Sequence, residues 1–278
     1  MAATLAERLG HAADARLLII NCDDLGATSA ANRAIRAAMA DGIATSTTLM
    51  VPCPWALDGV RRAPEGGIGV HLTLTCEYPG LRWRALTGGS SLHDDEGFMP
   101  LTAEAVWAKA DLAEVEAECR AQVDQALAWG VDVTHLDAHM GTMQVEPRYF
   151  DLYLKLACDY DLPLRVWGQP AEAQIGFPGR ARAAEAGRVF PDHMTTTWGR
   201  PAIPALEKIL RNLRPGVTEV YIHPSEDGPE LRDCDPKHAD IRVDDLACAL
   251  DPGLRVLAAK LGVILISYAP LRDLQRAA

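Results

Sequence analysis

Short apolar runs that stop at polar or acidic residues alternate along the chain with longer stretches whose apolar positions recur at helical spacing. The clearest run is Leu17-Leu18-Ile19-Ile20, which ends at Asn21-Cys22-Asp23-Asp24. A strand covered on both faces is apolar without alternation, and parallel sheets collect their functional groups at C-terminal strand ends. Two adjacent carboxylates at such an end repel each other, so something positive must hold them together. A metal ion is the simplest candidate.

The same reading predicts further strands over 43–51, 68–74, 133–139, 163–167, 217–223 and 263–268. Helices are predicted between them. One runs from a Thr28 or Ser29 cap to Ala40, ahead of Gly42, and a short one ends near Arg62. Others cover 103–129, 147–160, 201–213 and 244–261, the last interrupted near Pro252. Pro64 to Gly67 reads as a turn. Residues 76–103 are irregular and rich in Gly and Pro, a loop expected to lie over the site, and 168–200 reads as a second insertion. Residues 1–15 read as a loose, Ala-rich extension.

The expected architecture is therefore one α/β domain over 16–278, a distorted (β/α) barrel with about seven mainly parallel strands. An open doubly wound sheet is the alternative. The first strand is not followed by G-x-G-x-x-G, which weakens a dinucleotide-binding version. A barrel also gathers every strand end around one mouth.

Four predicted strands finish at or near a metal ligand or proton carrier: Asp23-Asp24, His71, His139 and His223. Two imidazoles and one carboxylate can hold a divalent ion and leave positions open for water and substrate. One of the paired acids can then ligate while the other serves as base. Neighbouring side chains on a strand point to opposite faces, so this needs a turning backbone, which Gly26 permits. Asp137 shares a strand face with His139 and is a candidate to orient a ligand, or else a capping acid. His135 lies four residues before His139, about 13 Å along a strand, too far to share an ion. Arg165 ends the fifth predicted strand and can orient Asp23 or bind substrate, with a surface salt bridge as the plainer role. Trp83, Trp167, Trp198 and Tyr78 can stack on a ring of a ligand or fill the core. Asp192 and His193 are candidates to line the pocket. His11, His93 and His238 read as solvated.

Composition narrows the partners. The formal charge of −11 argues against nucleic acid and against anionic membrane surfaces. The seven cysteines form no C-x-x-C pair, a pattern that suits free thiols in a reducing cytoplasm. No signal peptide or membrane-spanning run is evident, so a cytoplasmic location is expected. A homodimer is left open.

Several segments in order carry a family resemblance. Asn21-Cys22-Asp23-Asp24-Leu25-Gly26 resembles the N-A-D-D-[FL]-G opening of the YdjC/ChbG-like carbohydrate deacetylases. Thr45 to Met50 resembles their second-strand signature, and Val70-His71-Leu72-Thr73-Leu74-Thr75 their G-V-H-L-x-L-T segment. His135-Leu136-Asp137-Ala138-His139 is similar to H-x-D-S-H, and Tyr221-Ile222-His223-Pro224 to the late H-P motif. The chain departs from the pattern at Ala138, where Ser is usual. Met140-Gly141 stands where many members carry another His, and Ser225 where Gly is common.

The resemblance implies a (β/α)-barrel-like deacetylase related to the NodB-type polysaccharide deacetylases. It implies Asp24, His71 and His139 as ligands of one divalent ion, Zn²⁺ or Mg²⁺, with Asp23 as general base and His223 as general acid. It further implies N-acetylated sugars, such as short chitooligosaccharides, as substrates. Arg165, Asp192 and Trp198 are the residues expected to meet the sugar. The alternatives are another barrel metal-dependent hydrolase, such as a phosphoesterase, and a non-catalytic sugar-binding protein on the same scaffold.

Overall fold

The structure is a computed structural model that describes residues 3–63 and 66–277. Its strands are β1 (Arg16–Leu25), β2 (Ser46–Leu49), β3 (Gly67–Leu72), β4 (Val133–Ala138), β5 (His193–Thr196), β6 (Gly216–Ile222) and β7 (Val263–Leu265). They form one curled sheet in the order β4-β3-β2-β1-β6-β5, with β7 against the first residues of β1. Every pairing is parallel. The result is the expected distorted barrel. The turn expected at 64–67 begins outside the described residues.

β1 is central, and its alternation divides the interior. Leu18, Ile20 and Cys22 join the large cluster beneath the surrounding helices, whereas Leu17 and Ile19 pack with Val217, Tyr268 and Leu271. Burial of each such aliphatic side chain contributes roughly 1.5–3 kcal/mol. Residues 3–15, part of the stretch expected to be loose, contribute to this second cluster. Thr4 caps a helix at Leu5–Arg8 through a reciprocal bond with Glu7, and Ala6 is fully buried.

Other expectations need correction. Residues 163–167 do not form a strand. They run extended beside β4 with a single bridge, Leu136 to Leu164, and the Arg165 N–H donates to Leu136 O at 3.0 Å. Pro163 lacks an N–H at one end, and the helix Gln169–Ile175 begins just past the other, so too few residues remain for a ladder. The segment 168–200 is not a plain insertion, because it supplies β5. That strand is short and half-buried throughout, which gave it no apolar signature.

The helix predicted over 103–129 is two helices, Ala103–Lys109 and Leu112–Ala128. The Asp111 carboxylate accepts from the N–H groups of Ala113 and Glu114 and restarts the second. The helix predicted over 244–261 begins earlier, at Ala239, and breaks where expected, before Pro252, into Ala239–Leu250 and Pro252–Lys260.

The long connection after β3 has a small core of its own, in which Cys76, Tyr78, Trp83 and Met99 pack with Met50 and Cys53. Trp83 is buried and donates its indole N–H to Thr75 O at 3.0 Å. Tyr78 is buried as well. Of the two roles read for these rings, both take that of filling the core. Anchored in this way, the connection carries Glu77 to the mouth of the barrel.

Candidate metal centre and active site

The site begins with a fault in β1. Its pairing with β2 runs Asn21 to Ser46 and Cys22 to Thr47, then resumes at Leu25 to Leu49, so β1 holds one residue more than its partner. Asp24 occupies this bulge with φ +70°, a left-handed conformation that costs about 1–2 kcal/mol outside glycine. Gly26 follows at φ +94°, packed so closely that an added Cβ would lie 2.8 Å from the Ala56 Cα. This is the turn that lets two adjacent acids work at one place.

Asp24 Oδ1 then lies 3.5 Å from His71 Nε2, on β3, and 3.4 Å from His139 Nδ1, just past β4. All three residues are buried. Among the described residues Asp24 Oδ1 has no hydrogen-bond partner. Three ligand atoms each about 2.1 Å from a tetrahedral ion stand about 3.4 Å apart. An orphaned carboxylate oxygen at that distance from two imidazole nitrogens fits a divalent cation.

The remaining atoms of these three side chains are held in place. Asp137 Oδ1 accepts from His71 Nδ1 at 2.6 Å, and Glu77 Oε2 from His139 Nε2 at 2.8 Å. Such carboxylate–imidazole pairs fix the tautomer and the ring orientation of a metal ligand. Arg242 Nη1 donates to Asp24 Oδ2 at 2.7 Å. Burial alone would raise the Asp24 carboxyl, but Arg242 and the two imidazoles hold it well below the usual range.

Protons compete for this centre. Burial opposes charge on both rings, yet Asp137 lifts His71 to about 10 and Glu77 lifts His139 to about 9. Both imidazoles must be neutral to ligate. Cation binding between about pH 6 and 8 is therefore expected to expel two protons, so the logarithm of affinity rises by about 2 per pH unit. Competition against a chelating indicator at three pH values checks this; a pH-independent affinity would contradict it.

Asp23 belongs to a second constellation. Arg165, buried at 3% exposure, grips it with both forks, Nη1 to Oδ2 at 2.6 Å and Nη2 to Oδ1 at 2.7 Å. The same guanidinium meets Asp137 Oδ2 at 2.8 Å and Glu219 Oε1 at 2.7–2.8 Å. Each of its nitrogens faces a carboxylate within the protein, so Arg165 does not lie on the surface. Asp23, His71 and Asp137 also bring ligand atoms within 4.8 Å of one another, but Arg165 Nη1 already contacts both carboxylates of that group.

His223 follows β6 directly. Its Nε2 lies 3.8 Å from Asp23 Oδ2, and its backbone N–H donates to Asp245 Oδ2 at 2.9 Å. Burial lowers the proton affinity of its ring. Trp198 meets His223 edge-on at 4.6 Å between ring centres. These groups open on a cleft of about 370 Å³, walled also by Trp167 and Tyr221.

The structure thus gathers Asp23, Asp24, His71, His139 and His223, with Asp137 and Arg165 behind them and Trp198 on the wall. Asp192 does not join them. Its Oδ2 accepts from the Val217 N–H at 2.8 Å, at the opposite end of β6 from His223, and this corrects its assignment to substrate. His193 sits beside it, bonded to Pro215 O. His238, read as solvated, instead lines the cleft with Nδ1 on Asp235 Oδ1.

Sequence reasoning missed Glu77, Arg242, Asp245 and Glu219. For Glu219 a signal existed: an acid between Thr218 and Val220 in a buried strand requires a cation, and Arg165 stood in another apolar run. For Glu77 and Arg242 no local pattern pointed inward.

Fold and site together define a parallel α/β barrel with a candidate single-cation centre at the C-terminal strand ends. The chain belongs to the YdjC-like protein family, whose model matches residues 17–260. A carbohydrate deacetylase of Geobacillus stearothermophilus is 31% identical over 91% of this chain and 97% of its own length. One from Thermus thermophilus is 46% identical over a shorter stretch, 57% of this chain and 56% of the relative. Among solved structures, an Enterococcus faecalis protein provisionally described as a cellobiose-phosphate cleavage protein superposes with a TM-score of 0.83. It is 26% identical, over 92% of this chain and 99% of that one. No helix among the described residues is long and apolar enough to cross a membrane.

Proposed function

We propose that this protein is a metal-dependent deacetylase that hydrolyses the N-acetyl group of an amino sugar or short chitooligosaccharide-like chain and releases acetate. The observation that carries the reading is the orphaned Asp24 Oδ1 between two imidazole nitrogens, with a second carboxylate and a third imidazole beside it. Carbohydrate deacetylases among the relatives support the substrate class.

Asp24, His71 and His139 would hold the ion. Two nitrogens and one carboxylate suit Zn²⁺ better than Mg²⁺, which prefers oxygen and its own waters. Bound there, the ion would supply Lewis acidity, to acidify a water and polarise the amide oxygen. Asp23, fixed by Arg165 and by the Asn21 side chain at 2.8 Å, accepts the proton of the attacking water. His223 delivers a proton to the departing amine nitrogen, and its burial makes it a ready donor once charged. Trp198, Trp167 and Tyr221 offer aromatic faces and edges to the sugar.

Two alternatives are less well supported. A phosphoesterase of the two-ion type needs a second cation position, and the neighbouring acids Asp23 and Asp137 are already engaged by Arg165. A sugar-binding protein has no need of a base and an acid set face to face.

Acetate release from N-acetylglucosamine oligomers is the direct test. Activity is expected to vanish on chelation and to return with one ion per chain. Turnover that survives complete removal of metal would end the proposal.

A further inference from the structure

Arg242 is a buried cation that touches neither Asp23 nor His223 in the arrangement above. Each of its three donor groups has a different partner. Nη1 donates to Asp24 Oδ2 at 2.7 Å, Nε to Asp235 Oδ2 at 2.9 Å, and Nη2 to the Tyr78 hydroxyl at 2.6 Å. The guanidinium carbon lies 5.6 Å from the centre of the Trp198 ring. The partners come from β1, from the anchored connection after β3 and from the segment ahead of helix Ala239–Leu250.

We propose that Arg242 is a positioning residue for the cation, fixing Asp24 as a ligand through one oxygen only. This inference rests on the metal reading given above. A free carboxylate rotates about its last bond and offers either oxygen or both. Here Oδ2 is committed to Arg242, and Oδ1 alone faces the two imidazoles. The Asp24 backbone is already in a sparsely populated conformation, so its side chain needs outside support to keep one orientation. The support itself is braced, because Asp235 and Tyr78 prevent the guanidinium from following Asp24. Since Arg242 also backs Trp198, the cation centre and one wall of the cleft share a single strut. A planar fork can satisfy three partners in fixed directions; a lysine ammonium cannot.

The sign of the effect dictates the variant. Removing the charge would mix lost positioning with lost repulsion between guanidinium and cation, two effects of opposite direction. Arg242→Lys keeps the charge and removes the fork. With Zn²⁺ alone and no sugar present, this variant is expected to bind about 10- to 100-fold more weakly than the wild-type chain. Loaded with Co²⁺, it is expected to show weaker visible absorption bands, because coordination number rises when Asp24 engages both oxygens.

A folded Arg242→Lys protein with wild-type Zn²⁺ affinity, or with unchanged Co²⁺ bands, overturns the assignment. Should that variant fail to fold, Tyr78→Phe decides on the same two readings. It removes the far brace without touching Asp24, and a several-fold loss of affinity is expected; wild-type affinity overturns the assignment. A wild-type chain that binds neither ion would instead bring down the metal reading itself, and this inference with it.

Discussion

Asp23→Asn is expected to leave cation binding intact and to lower turnover by about 10² to 10⁴, the usual worth of a positioned general base. The substitution is nearly isosteric, and Asp24, His71 and His139 keep every contact that shapes the centre. Asn cannot take a proton from water at neutral pH. Its amide also turns one donor group toward the Arg165 fork, where Asp23 presents an acceptor to each arm at 2.6–2.7 Å. Two measurements made together check the expectation: metal per chain by elemental analysis, and acetate released per unit time. Full activity with full metal would remove Asp23 from the base role. Loss of both metal and activity would place Asp23 among the ligands instead.

Arg165→Met is expected to destabilise the fold by about 3–5 kcal/mol, the cost of leaving a buried charge network without its counter-ion. Three buried carboxylates, of Asp23, Asp137 and Glu219, share this one guanidinium. In the intact protein Arg165 and His71 together hold Asp137 below its usual range against the effect of burial. Glu219 stays raised by burial despite Arg165 and the Tyr268 hydroxyl that donates to it at 2.5 Å. Without the cation, all three acids would favour their protonated forms. The deficit of the variant should therefore shrink as pH falls from 7 toward 5, since protonation neutralises what Arg165 had balanced. Urea unfolding of variant and wild type at both pH values measures it. A variant within about 1 kcal/mol of wild type at pH 7 would show that the carboxylates are relieved by some other group. Because Asp137 orients His71, weaker cation binding should accompany the lost stability.

These two residues differ in how far the chain announced them. Asp23 stood at the end of an uninterrupted apolar run, where a buried strand leaves its polar groups at the mouth of a barrel. The same logic reached His71, His139 and His223 from their strand positions. Arg165 was visible as a charge in an apolar segment, and a link to Asp23 was among the roles read for it; its contacts with Asp137 and Glu219 were not, because the partners lie on β1, β4 and β6. Asp192 misled for the complementary reason. A polar residue in an irregular stretch carries no mark of which end of the sheet it will reach, and it reached the wrong one. β5 was overlooked because a half-buried strand of four residues has no apolar run to betray it.

The order of apolar runs and polar stops by itself determined a mainly parallel α/β domain, with a barrel preferred to an open sheet, and the strand ends that carry the site, because burial and side-chain periodicity act over a few neighbouring residues. Only the tertiary structure decided that Asp24 turns left-handed out of β1, that Glu77 and Arg242 hold His139 and Asp24, and that three acids share one guanidinium. Those outcomes depend on charges brought together from distant parts of the chain, where low dielectric makes each pairing decisive and no local pattern records it.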